Sequence, residues 1–132
     1  MGFYDDHRHY IYTLLNNGSV IYVGVSSDVK NRYKDHHYSS ISNVYNLARY
    51  LLANNTPLTA DIIDFAPNKR AGHKLEMLYI AKYSTKYHLL NDKEVYLAIN
   101  SIIPVYKQII NPYSLCGPYQ TIEKTQQEWE NK

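Results

Sequence analysis

Two short runs of apolar and β-branched residues, Tyr10 to Leu15 and Val20 to Val25, lie close together near the start of the chain. Such runs favour strands, because branched and aromatic side chains pack well on a pleated surface. Asn16-Asn17-Gly18 separates them, and Asn and Gly accept the positive φ of a tight hairpin turn. The pattern then changes period. Ser26 and Asp28 offer side-chain oxygens to the free N–H groups of a helix start, and a helix is predicted from Val29 to about Tyr38. Ser39 to Ser42 reads as a linker.

Asn43 is predicted to cap a second helix, in which Val44, Leu47, Ala48 and Leu51 recur at i, i+3, i+4 and i+7, the stripe of a core-facing helix. Asn54 to Pro57 ends it,. Thr59 to Ala66 is predicted as a third strand, and its adjacent Ile62 and Ile63 require both faces to be covered,. Pro67 or Asn68 opens a long helix to about Tyr83, with apolar surface from Leu75, Leu78, Ile80 and Ala81. Leu89-Leu90-Asn91 is expected to run back beneath it.

The remainder is less regular. A helix is predicted over Val95 to Ile103 and stopped by Pro104, and Tyr106 to Ile110 reads as a short strand. Pro112, Gly117 and Pro118 argue for irregular chain, and Thr121 to Asn131 for a last helix with Ile122 and Trp129 on one side. Trp129 fits either docking on its own domain or a dimer contact. The expected fold is therefore α/β of the α+β kind: a three-stranded sheet built on an N-terminal hairpin, flanked by helices, with a helical and irregular C-terminal extension. Residues 1–95 are assigned to the domain and 96–132 to an extension packed on it. No internal repeat, low-complexity stretch or separate DNA-binding module is visible.

Composition narrows this picture modestly. A chain of 132 residues with 45% hydrophobic residues can fold around one core without staples,. Its single cysteine, Cys116, excludes an internal disulfide framework and suits a reducing compartment,. Cys116 lies in a Leu-Cys-Gly-Pro sequence with no histidine nearby, so it reads as a small apolar side chain rather than a nucleophile. The start, MGFYDDHRHY, is too charged for a signal peptide, and Asp6 breaks the myristoylation pattern,. No run approaches the roughly 20 apolar residues that cross a bilayer, so a soluble, cytoplasmic protein is expected. The net charge of +2 permits a nucleic-acid partner without arguing for one,. Most of the 15 tyrosines are expected to be packing residues,.

Polar residues at informative spacing are few. Arg32 and His36 lie four apart on one helical face, and Asp28, four before Arg32, is expected to hold its guanidinium at rest,. That spacing alone describes a solvated helical surface, with an ion pair worth ~0.3–0.5 kcal/mol. His37 is turned ~100° off the Arg32 face. Glu76 stands between Leu75 and Met77, where burying a carboxylate is costly unless it is paired or binds a cation. Lys69, Lys82 and Arg49 are its candidate protein partners. Asp61 and Asp64 read as strand-end or solvent residues rather than metal ligands.

Taken together, Tyr10-Ile11-Tyr12, Tyr22-Val23-Gly24, Arg32 and His36 resemble the signature of the GIY-YIG nuclease family. Glu76 in HKLEMLYIAKY resembles that family's metal-binding glutamate, and Asn91 in HLLND its late asparagine. The resemblance covers about residues 8 to 95, with Tyr10 where the family usually has glycine. It implies a metal-dependent DNA endonuclease that hydrolyses phosphodiester bonds.

In that reading Glu76 is the protein ligand of Mg²⁺ or Mn²⁺, hard ions that need only one or two carboxylates, and Arg32 grips the scissile phosphate. Tyr12 orients or deprotonates the attacking water and passes the proton towards His36, and Tyr22 completes the network. A tyrosine of ordinary pKa is only ~0.1% phenolate at pH 7, so direct use of Tyr12 as the base costs about 4 kcal/mol. His36, near its ordinary pKa, is expected to be neutral and available. Gly24 leaves room for the substrate backbone, and Asn91 supports the chain from beneath. DNA is the expected partner, with a homodimer or a second protein supplying specificity. The alternatives are a catalytically weak or inactive DNA-binding or accessory module of the same fold, and an interaction protein that uses the tail around Trp129.

Overall fold

The computed structural model describes residues 7–103 and 116–132. Strands β1 (His9–Asn16) and β2 (Ser19–Ser26) form the hairpin, with Asn16 opposite Ser19. Asn17 and Gly18, at φ 50° and 80°, make the two-residue turn, the geometry that matches the twist of the flanking strands. Helices α1 (Val29–Tyr38) and α2 (Tyr45–Ala53) follow, then strand β3 (Thr59–Ala66) and helices α3 (Lys69–Ser84), α4 (Lys93–Ile102) and α5 (Cys116–Glu130). The sheet is antiparallel in the order β2-β1-β3, which makes this an α+β fold. Among the described residues no helix is long and apolar enough to cross a membrane.

β1 is central and buried along most of its length. Its even-numbered side chains Tyr10, Tyr12 and Leu14 join Val29 and Tyr33 of α1, Ala48 and Leu51 of α2, Ile62 and Ile122 in one core. Ile11 joins Val23, Leu89, Leu75, Ile80 and Ile63 in the other, beneath α3. The period of two thus sends one strand's side chains into two separate cores. Ile62 and Ile63 divide between them in the same way. Tyr10 is 3% exposed, so its phenol fills the first core from within. Leu78 and Met77, by contrast, are exposed; Leu78 does not supply the apolar surface expected of it, because α3 turns Leu75 and Ile80 inward instead.

Several helix ends differ from expectation. Asp28 caps α1 by accepting from the Asn31 N–H at 3.1 Å and from Asn31 Nδ2 at 2.7 Å, and no Asp28–Arg32 ion pair forms. A cap three residues upstream competes successfully with a pair four residues away. α2 begins one residue later than expected, and Asn43 does not cap it but donates from Nδ2 to Leu90 O at 3.0 Å. Asn68 caps α3 by accepting from the Ala71 N–H. Gly117 and Pro118, read as breakers, lie in the first turn of α5, where a proline loses no intrahelical hydrogen bond. Cys116 opens that helix; the expected Tyr106–Ile110 strand and Pro112 lie outside the described residues.

The outer edge of β2 is covered rather than open. Leu90 N–H donates to Ile21 O at 2.7 Å, and Asn91 grips Val23 from both sides. Its Oδ1 accepts from Val23 N–H at 3.0 Å and its Nδ2 donates to Val23 O at 2.8 Å. One side chain thus stands in for a neighbouring strand on an edge that would otherwise be unpaired. Asn91→Asp replaces the donor with a second acceptor facing a carbonyl. It is expected to lower stability by about 1–3 kcal/mol, measured as a lower urea midpoint at unchanged m-value.

Candidate active site

A cleft of about 440 Å³ opens beside β2, lined by Tyr12, Tyr22, Arg32, Lys69, His73 and Glu76 among others. Tyr12 and Tyr22 come from the face of the sheet that packs on α1, while His9 and Val25, also on its wall, come from the α3 face. The cleft therefore wraps the sheet edge. α1 brings Arg32 from one side and α3 brings Glu76 from the other. The charges of Arg32 and Glu76 both act on the hydroxyls of Tyr12 and Tyr22, as expected of groups that share a small volume.

Tyr12 is 1% exposed, and its register partner across the hairpin is Gly24. A Cβ at position 24 would overlap Tyr12 Cζ and Oη. The missing side chain therefore makes room for this phenol, a correction to the expectation that it makes room for substrate. The Tyr12 hydroxyl lies 2.7 Å from His36 Nε2, and His36 Nδ1 lies 2.5 Å from Ser42 Oγ. A buried phenol needs an acceptor, so we assign Nε2 the lone pair and Nδ1 the proton, donated to Ser42 Oγ. Tyr22 packs edge-on to the same imidazole, with ring centroids 5.1 Å apart.

Burial dominates the protonation of this chain. It pushes the Tyr12 hydroxyl well above its ordinary pKa; Tyr22 adds to the shift, and Arg32 only partly offsets it. It also lowers His36 to about 3, helped by the charges of Arg32 and His37. Both groups are therefore held neutral. His36 is neutral as expected but far less basic than its ordinary value suggests, a second correction. His37, also buried, donates from Nδ1 to Tyr33 O at 2.9 Å, and its Nε2 has no partner among the described residues. It faces Tyr33 and away from the cleft.

Glu76 is 21% exposed at its side chain, and the imidazole of His73 lies beside it, Nδ1 to Oε1 3.9 Å. None of Lys69, Lys82 or Arg49 pairs with it. Burial raises its carboxyl pKa, with His73 and Arg32 opposing the rise. A partly desolvated carboxylate on a polar wall, without a close protein cation, fits a hard divalent ion. No group of three or more His, Cys, Asp or Glu among the described residues is arranged to hold a metal ion, so the fit is to an ion that keeps most of its waters. Asp64 is used elsewhere, accepting from the Tyr79 hydroxyl at 2.7 Å, and neither Asp61 nor Asp64 lines the cleft.

Against known families, the model described as the GIY-YIG catalytic domain matches residues 8–89, well over half of the chain. The chain belongs to the GIY-YIG nuclease family. No curated protein and no solved structure matches it. Nucleases of the GIY-YIG family generally use divalent metal ions. Lys69 and His73 were missed from the sequence as cleft residues, although Lys69, His73 and Glu76 fall at i, i+4 and i+7 on one helical stripe,. Ser42 carried no such signal.

Two expectations follow. Gly24→Ala forces the Tyr12 ring off His36 and should cost about 1–3 kcal/mol by overpacking, seen in the urea midpoint and as altered tyrosine near-ultraviolet dichroism. The histidines make stability depend on pH. Unfolded, each takes up a proton near its ordinary value of 6.5; folded, His36 does so only near 3, and His37 is also lowered. Their contribution is complete above pH 6.5 and declines as pH falls from there towards 3. The urea midpoint should therefore drop between pH 7.5 and 5, and His36→Gln should flatten that drop.

Proposed function

We propose that this chain is a divalent-metal-dependent DNA endonuclease that hydrolyses phosphodiester bonds in the cleft between α1 and α3. One observation carries the reading: two hairpin phenols, a guanidinium from α1 and a carboxylate from α3 line the same cleft from opposite faces of the sheet. Arg32 grips the scissile phosphate through its planar fork. Glu76 holds Mg²⁺ or Mn²⁺, and the ion when bound supplies charge neutralisation and a more acidic water. Tyr22 donates to a phosphate oxygen or to the water. Asn91 acts only through β2, and Gly24 only through Tyr12.

Tyr12 is not itself the base, because burial opposes its phenolate. Its oxygen accepts a hydrogen bond from the attacking water while its own proton is shared with His36 Nε2, so a proton reaches the imidazole without a free phenolate. His36 is a poor acceptor in the free protein, partly because Arg32 repels the imidazolium. Burial is the larger cause and stays, but a phosphate bound at Arg32 offsets that repulsion, so the imidazole becomes a better acceptor when substrate arrives. Cutting both strands requires two copies or two successive events. The lone cysteine supports a reducing, cytoplasmic setting,.

Nicking of supercoiled plasmid with Mg²⁺ or Mn²⁺ tests this. Glu76→Ala should abolish cleavage with folding intact, and Arg32→Ala should lower kcat/KM by at least about 100-fold. Tyr12→Phe and His36→Ala should each be severe and the double variant no worse, since they act as one unit. Metal-dependent cleavage that survives Glu76→Ala overturns the metal assignment. Failure of the wild type on duplex, nicked, branched and single-stranded DNA alike would leave the accessory-module reading.

A further inference from the structure

Tyr22 and Arg32 have a second side. Beyond them lies a neighbouring cleft of about 480 Å³, which they line together with His36, Asp35, Ile41 and Asn43. The two clefts share Tyr22 and Arg32, so the second lies next to any group held at Arg32. Their chemistry differs. The first wall carries Lys69 and His73, and suits further phosphate. Beyond Arg32 the second wall adds, among the described residues, no lysine or arginine, but an exposed carboxylate, Asp35, a carboxamide, Asn43, and an aliphatic side chain. That aliphatic residue, Ile41, is 90% exposed and stands in the connection between α1 and α2.

Charge complementarity therefore turns the phosphate backbone away from this wall and favours a neutral group that carries hydrogen-bond donors. We infer that the α1–α2 connection is a nucleobase subsite for the base next to the cleaved phosphate, with Ile41 packed on the base face and Asp35 accepting from an exocyclic amine. Apolar side chains are used in this way against exposed base steps, and carboxylates accept from the cytosine amine. Asn43, which also lines this cleft, is anchored by its Nδ2 bond to Leu90 O, so its carboxamide oxygen is not needed for that anchor. The inference rests on the nuclease reading for its substrate, and the test separates the two.

The full chain would be assayed on a duplex and a single-stranded oligonucleotide pool, randomised in sequence, by sequencing the cut ends. Binding would be followed in parallel with Glu76→Gln protein and single-stranded oligonucleotides containing 2-aminopurine. Wild type should favour an amine-bearing base at one position beside the cut, and Asp35→Asn should flatten that preference. Ile41→Ala should weaken oligonucleotide binding about tenfold and reduce the rise in 2-aminopurine emission that accompanies its unstacking on binding, and Ile41→Leu should restore both. Wild-type affinity and base preference in Ile41→Ala and Asp35→Asn would overturn the subsite. If the wild type binds but does not cut, the nuclease reading fails, and the 2-aminopurine response to Ile41→Ala still decides the subsite.

Discussion

The phenol of Tyr12 occupies the volume that a side chain at position 24 would need, and the site is arranged around that fit. β1 is covered on both faces, so this ring has no solvent-facing alternative. Seated over Gly24, it delivers its hydroxyl to His36 on α1, and His36 passes the contact to Ser42 in the following connection. A single vacancy in one strand thus couples the hairpin to the helix that carries Arg32. Irregularities in the sheet lie close by. The pairing of β1 with β2 shifts beside Tyr22, and that of β1 with β3 shifts at Tyr12. Bulges of this kind re-aim side chains near functional sites.

Around this fit the site separates neutral groups from charged ones. Burial raises the pKa of an acid and lowers that of a base, and in the Tyr12–His36 pair both shifts favour the uncharged form,. The charged groups, Arg32, Lys69 and Glu76, stand on the wetter wall. A buried polar chain in which each member has a partner is rigid, whereas a buried charge without one would be expensive. The protein therefore holds a fixed neutral relay beside a charged surface, and the ionic partners that complete the electrostatics are those that would arrive from solution.

Much of this was readable from the chain, and the parts that were not have identifiable causes. The hairpin was legible because Asn17 and Gly18 require a conformation few other residues tolerate,. The pairing of Arg32 with His36 on one face followed from helical spacing alone. Asp28 caps α1 as its place before the helix predicts, but the Arg32 ion pair does not form, because both uses compete for the same carboxylate and spacing does not rank them. The space at Gly24 was assigned to the wrong occupant, since only the cross-strand register reveals that Tyr12 stands opposite. Lys69 and His73 were visible on the Glu76 stripe but unremarkable among other basic residues. The Ser42–His36 bond depends on how a short connection folds back, which no periodicity encodes.

The C-terminal helix adds a final constraint that bears on Arg32. Gln126 of α5 places Oε1 2.6 Å from the Val29 N–H at the start of α1, satisfying a backbone donor that Asp28 leaves unpaired,. Ile122 is buried in the core beside it, and Trp129 packs edge-on against Phe65 of β3 while its carbonyl accepts from Arg8. Lys30 and Glu123 also pair, but on a partly exposed surface such a bond contributes little. α1 is therefore held at its start by α5 and near its end by the contact of His36 with Tyr12 of β1. Arg32 lies between these two attachments. A guanidinium carried on a helix fixed at both ends has little backbone reorganisation left to make on meeting an anion, and that is the condition under which a preorganised cation stabilises developing charge most effectively.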